Sequence, residues 1–150
     1  MNRFFFILFV STTLITTSSC SGDDSSNNGG GNNQASGFTW RENDPNGMIN
    51  QAASATFTNQ FNTLIAKKAD GSTLFEINLS GSSAAAYTLS SSGANMFTYT
   101  GENPFFVAES GSVTISSNTN NKITGTYEAF RTGNSGLTRL YGTFTDVPVN

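Results

Sequence analysis

Histidine is absent from this 150-residue chain, and cysteine occurs once. Without histidine there is no imidazole to work as a general base near neutral pH, to activate a serine or cysteine nucleophile, or to ligate a metal. A lone cysteine, Cys20, excludes an intrachain disulfide and a thiolate cluster for zinc. Charge is scarce too. Asp, Glu, Lys and Arg make up 11% of the residues, less than half the roughly 25% of an average soluble protein. The net charge is −3, and nucleic acid, which requires a basic face, is not an expected partner. No stretch keeps apolar residues at helical spacing over three turns; MINQAASA (48–55) and GSSAAAY (81–87) have room for a single helical turn each.

What the chain does have is Ser, Thr, Asn and Gly in quantity, thirteen Phe and four Tyr. Threonine packs on a pleated surface and Asn and Gly make tight turns, so the composition suits short strands joined by turns. Phe4, Phe5, Phe6 and Phe9 belong to the N-terminal segment; the other nine Phe are available for a core.

MNRFFFILFVSTTLITTSSC has a basic start at Arg3, a compact apolar run from Phe4 to Val10, and small residues leading to Cys20. That is the layout of a secretory signal peptide over 1–19. The Ser/Thr-rich stretch from Ser11 makes it too short to span a membrane, which takes about 20 apolar residues. The segment resembles a bacterial lipoprotein signal, with Ser18 and Ser19 meeting its small-residue requirement and Thr17 standing where that pattern usually has Leu. The resemblance implies that the Cys20 thiol receives a diacylglyceryl group through a thioether, which only a sulfur nucleophile can form, and that cleavage then exposes the cysteine amine. Two or three acyl chains, at about 0.8 kcal/mol per buried methylene, give durable membrane attachment where one chain gives marginal binding.

The run SGDDSSNNGGGNNQASG (21–37) carries no apolar side chain larger than alanine. It cannot offset the entropy of ordering and is expected to be a disordered linker whose ends lie about 20–25 Å apart. Asp23 and Asp24, close behind the cysteine, resemble the short acidic signal that sends Bacteroidota-type lipoproteins to the outer face of the outer membrane.

From 38 to 150 the pattern predicts a single all-β domain. FTWRE, ASATFTNQ, AYTLS, NMFTYTG, FFVAES, SVTISS and LTRLYGTFTDVPV read as strands. NTLIAKKADGSTLFEINLS reads as a hairpin turning at Asp70-Gly71, with Phe75, Ile77 and Leu79 on one face and Glu76 and Asn78 on the other. In KITGTYEAF, Ile123, Gly125, Tyr127 and Ala129 alternate against Thr124, Thr126, Glu128 and Phe130, after a turn at Asn118–Asn121. The expected architecture is an antiparallel sandwich or flattened barrel of about nine or ten short strands. ATFTNQFNTLIAKK, LFEINL, AYTLS, GSVTISSNTNNKITGTYEAF and GTFTDVPVN resemble a family of small Bacteroidota-type lipoproteins of unknown function. That likeness implies an all-β fold and a lipid anchor, and no activity.

Few residues invite chemistry. A glycosidase needs two carboxylates about 5–10 Å apart; Glu76 and Glu128 are mid-strand candidates, expected on solvated faces. Glu42, Asp44 and Asn46 alternate in RENDPNG as calcium-loop oxygens do, but Asp-Pro-Asn-Gly is sufficient as a turn, and no metal or cofactor is expected. Lys67 and Lys68, near a hairpin turn, read as protection of a sheet edge or as surface charge. Trp40, Tyr99, Phe105, Phe106 and Tyr141 are candidates to line an apolar cavity or a sugar-stacking platform, against a place in the core. The expectation is a non-catalytic domain tethered to the outer membrane, facing outward, that binds a glycan, a small apolar ligand or an envelope protein. The alternatives are a structural lipoprotein of an envelope complex and a hydrolase. Cys20→Ala should move the protein from the membrane pellet to the soluble fraction after a carbonate wash; retention in the pellet would contradict the anchor.

Overall fold

The computed structural model describes residues 37–133 and 136–150; the signal segment, Cys20, Asp23, Asp24 and the linker up to residue 36 lie outside them. Eleven strands form among the described residues, and no helix. In chain order they are β1 (Gly37–Glu42), β2 (Asn50–Gln51), β3 (Ser54–Thr58), β4 (Thr63–Lys67), β5 (Thr73–Asn78), β6 (Ala85–Thr88), β7 (Met96–Tyr99), β8 (Phe106–Val107), β9 (Ser110–Thr119), β10 (Lys122–Phe130) and β11 (Arg139–Pro148).

They make two antiparallel sheets packed face to face and not closed into a barrel. One sheet runs β2-β1-β11-β10-β9-β6 and the other β3-β4-β5-β7-β8. The fold is the sandwich of the two expected architectures. Linker and strand meet one residue earlier than the sequence suggests, because Gly37 already pairs with Thr145. The two stretches with room for a helical turn are extended instead: Asn50–Gln51 lies against Thr39–Trp40, and Ala85–Tyr87 against Val113–Ile115. FFVAES does not stay in one sheet. Phe106 and Val107 pair with β7, and the chain then crosses so that Glu109 N–H donates to the Phe130 carbonyl of the other sheet.

Turn chemistry sets the hairpins. Asn120 and Asn121 both sit at positive φ (55° and 56°), the two-residue geometry whose twist matches the flanking strands. At Asp70-Gly71, Gly71 takes φ 83° and its N–H donates to the Lys68 carbonyl. The register slips just beyond, between Ala66 and Lys67 on β4, so that Leu74 and Phe75 are both buried although adjacent. A second slip falls at one level on both sides of β10, next to Gly125. On β11 it puts Asp146 at φ 51° and turns Phe144 and Val147, three residues apart, both into the core.

The core is aromatic. Phe75, fully buried on the central strand of the five-stranded sheet, packs against Phe38, Trp40 and Tyr127 from the opposing sheet and Phe97 and Tyr99 from its own, with ring centroids 4.6–6.2 Å apart. Two glycines make room for these rings. Gly125 lies directly opposite Phe144, and Gly142 opposite Tyr127. The Tyr127 ring crosses β11 over Gly142, and its hydroxyl donates to the Thr39 carbonyl on β1 at 3.1 Å. A Cβ on Gly142 would collide with the Tyr127 ring and with the Thr39 carbonyl. Gly142→Ala should therefore lower the unfolding free energy by about 1–3 kcal/mol. At Gly133 a Cβ meets nothing, and Gly133→Ala should leave the denaturation midpoint within about 0.5 kcal/mol of the parent.

Candidate functional site

The end of β1, the β7–β8 loop and the β10–β11 loop converge on a set of polar anchors. Glu42 continues the inward alternation of Phe38 and Trp40, but at the strand end its carboxylate reaches solvent. Its Oε1 accepts from Trp40 Nε1 at 3.2 Å and from the Tyr99 hydroxyl at 3.0 Å. Burial, reinforced by the Glu42 charge, pushes the Tyr99 phenol from 10.0 up to about 12, so it stays a neutral donor to Glu42.

Asn43, at φ 58°, uses its side-chain carbonyl to accept from Thr138 N–H (2.8 Å) and Arg139 N–H (3.1 Å), and its amide donates to the Gly136 carbonyl. Arg131 uses all three of its guanidinium nitrogens. It pairs with Glu102 at 2.7 Å, donates to the carbonyls of Leu137 and Phe105, and lies with Cζ 5.0 Å over the Phe106 ring. The other Glu102 oxygen accepts from Leu137 N–H. These residues border a cleft of about 340 Å³ between Glu42, Tyr99, Glu102 and Leu137. Two carboxylates on one cleft is the arrangement a hydrolase needs, yet here one Glu42 oxygen and both Glu102 oxygens already accept protein hydrogen bonds that fasten strand ends and loops.

A larger groove, about 630 Å³, opens on the other side of the β10–β11 connection and includes Glu109, Phe130, Arg131, Thr132, Thr138 and Arg139. Phe130 and Tyr141 face outward from neighbouring strands and meet edge to face at 6.3 Å. The Arg139 guanidinium lies 4.9 Å over the Phe130 ring and donates from Nη1 to the Tyr141 hydroxyl at 3.2 Å. Glu109 accepts from the Thr132 hydroxyl (2.6 Å) and N–H (3.0 Å), and those bonds hold its carboxyl below the usual range. The groove thus offers aromatic carbon, hydroxyls, a carboxylate and a guanidinium at one surface.

The sequence candidates are scattered by the fold. Trp40, Tyr99 and Phe106 are buried, their rings joined to the core cluster. Phe105 is 60% exposed, and Tyr141 is half-buried on the outward face of the six-stranded sheet. The five do not line one cavity: Tyr141 touches Arg139 and Phe130, Phe106 and the Phe105 carbonyl touch Arg131, and Trp40 and Tyr99 belong to the core cluster. Glu76 and Glu128 are exposed on different sheets, on the outward sides of β5 and β10, with the core between them. In RENDPNG, Asp44 accepts from Asn46 N–H to close a turn while Glu42 is drawn to Tyr99, and among the described residues no three acidic or cysteine side chains gather as a metal would require. Lys67 ends β4, an interior strand.

Asn43, Glu102 and Arg131 were not singled out by the sequence. Glu42's place on the inward register of β1 was the available signal that it would meet buried donors. Among the described residues no helix is long and apolar enough to cross a membrane. No protein-family model, curated protein or solved structure matches this chain.

The raised Tyr99 phenol makes alkaline stability a test of this geometry. Below pH 10 the phenol is protonated in both folded and unfolded states. Between 10.0 and about 12 the unfolded chain releases the proton while the folded one holds it, so stability falls as pH rises. Urea midpoints taken across that window should decline, and Tyr99→Phe should decline less.

Proposed function

We propose that this chain is a lipid-anchored, non-catalytic recognition module. Cys20 holds it to the outer membrane, Asp23 and Asp24 direct it outward, and the β-sandwich binds an extracellular glycan. The observation that carries the reading is the groove beside Phe130, Thr132, Thr138 and Arg139, set on a sandwich whose interior is already filled by rings. Sugar rings present C–H faces to aromatic carbon and hydroxyls to polar groups at once, and this groove supplies both. An open trough accepts a chain that continues at both ends. A small apolar ligand would instead need an enclosed cavity, and the rings proposed to line it, Trp40, Tyr99 and Phe106, are packed against one another's neighbours in the core.

A structural role in an envelope complex is the second reading. It draws on Phe105 and Val107, 60% and 36% exposed beside the edge of the five-stranded sheet at β8.

The test is a binding panel of extracellular polysaccharides against the purified full-length protein in detergent. At least one polysaccharide should bind, and Phe130→Leu, which keeps apolar bulk and removes the ring, should weaken it roughly tenfold. Absence of binding across the panel, or a folded Phe130→Leu protein that binds as the parent does, would overturn the reading.

A further inference from the structure

We infer that the groove selects glycans bearing carboxylates, a uronic-acid polysaccharide rather than a neutral one; the inference rests on the glycan reading above. It starts from two arginines that the fold fixes and leaves without an acid. Among the described residues the ion pairs are Lys122 with Asp146 and Arg131 with Glu102. Arg139 and Arg41 are in neither. Both lie on the outward face of the six-stranded sheet. Arg139 lines the groove; beside it, Arg41 on β1 stands directly opposite Tyr141 on β11, and Arg139 is two residues from Tyr141 on the same strand, so the two arginines neighbour one tyrosine in the sheet.

Each is held in place by a neutral group. Arg139 is stacked on Phe130 and bonded to the Tyr141 hydroxyl, and Arg41 donates from Nε to the Gly47 carbonyl at 3.1 Å. Stacking and a single neutral bond orient a guanidinium without neutralising it. The remaining N–H donors of each fork are uncommitted, and a planar carboxylate is the group whose two oxygens match them.

The nearby acids work against an anion. Glu109, in the groove, is oriented by the Thr132 N–H and hydroxyl and keeps its charge. Glu128 lies across Tyr141 on β10, exposed and outside both ion pairs, so it opposes an anion bound over the tyrosine. The site therefore carries an attractive pair and two repulsive carboxylates, and both signs are testable.

The probe is an oligogalacturonate series titrated into the full-length protein in detergent, with the methyl-esterified oligomer of the same length as the uncharged control. The acid form should bind at least tenfold tighter than the ester, and the margin should shrink with added salt. Arg139→Gln should erase most of that margin, Arg41→Gln should reduce it, and Glu128→Gln should widen it, each with an unchanged thermal midpoint. Equal binding of acid and ester sinks this inference and leaves the glycan reading standing. Binding of neither oligomer, with a neutral polysaccharide of the panel bound, does the same. Binding of nothing at all sinks both. A folded Arg139→Gln protein that keeps the full margin shows that the selectivity is not at this arginine, and also overturns the inference.

Discussion

The cohesion of this fold depends on the contact of one ring, Phe75, with rings from both sheets. A sandwich has to bury the inner faces of two sheets against each other, and this chain has few other means of joining them. Its single cysteine can form no intrachain bridge, and its sparse charges form two ion pairs among the described residues, of which Lys122–Asp146 is well exposed. Burial of aromatic surface is what remains. Phe75 sits at the centre of the five-stranded sheet and meets Phe38, Trp40 and Tyr127 across the interface. Tyr127, one of those rings, crosses the neighbouring strand β11, which is thin at that point. Gly142 leaves the gap that Tyr127 passes through, while Gly125 leaves the one filled by Phe144. Bulk on one strand and its absence on the next are one packing arrangement.

That arrangement was legible wherever alternation alone decides burial. Phe75, Ile77 and Leu79, Val113 and Ile115, and Ile123, Tyr127 and Ala129 are buried as their two-residue period requires. Asp70-Gly71 and Asn120–Asn121 turn the chain where their residue types permit positive φ. Strand parity had more to give. Phe105 and Phe106 are adjacent on an extended segment, so they point to opposite sides and cannot line one cavity; Phe38 and Trp40 share a parity, which places Trp40 inside. What lay beyond the sequence is whatever a bulge or a sheet change decides. The extra residue at Leu74 breaks the alternation, and nothing local says that FFVAES begins in one sheet and ends beside the other.

The polar anchors at the loop end were illegible for a different reason. Glu42, Tyr99, Glu102, Arg131 and Leu137 come from distant parts of the chain, and their hydrogen bonds exist only after the sheets have packed. Residue type could not reveal the use, because an isolated Glu or Arg in a turn reads as surface charge. The fold uses them to close off what it could not bury. Strand ends leave backbone groups unpaired, and Asn43, Glu102 and Arg131 satisfy several of them with side chains. Among the loop-end charges outside this network are the two arginines that neighbour Tyr141.

On the proposed reading, the anchor and the shape of the groove belong to one design. An open trough makes contact with a ligand on one side only, excludes little water, and leaves its guanidinium groups in a high dielectric, where each charge contact is worth little. Single-site affinity is then modest. A membrane-bound protein compensates by number, because many copies in one plane engage successive units of one polymer, and each later contact is made at high effective concentration. That gain requires that several copies engage one ligand at the same time. It also requires a ligand with repeating sites. A polysaccharide has them and a small apolar molecule does not, so the proposed anchor and the proposed glycan ligand are consistent with one another.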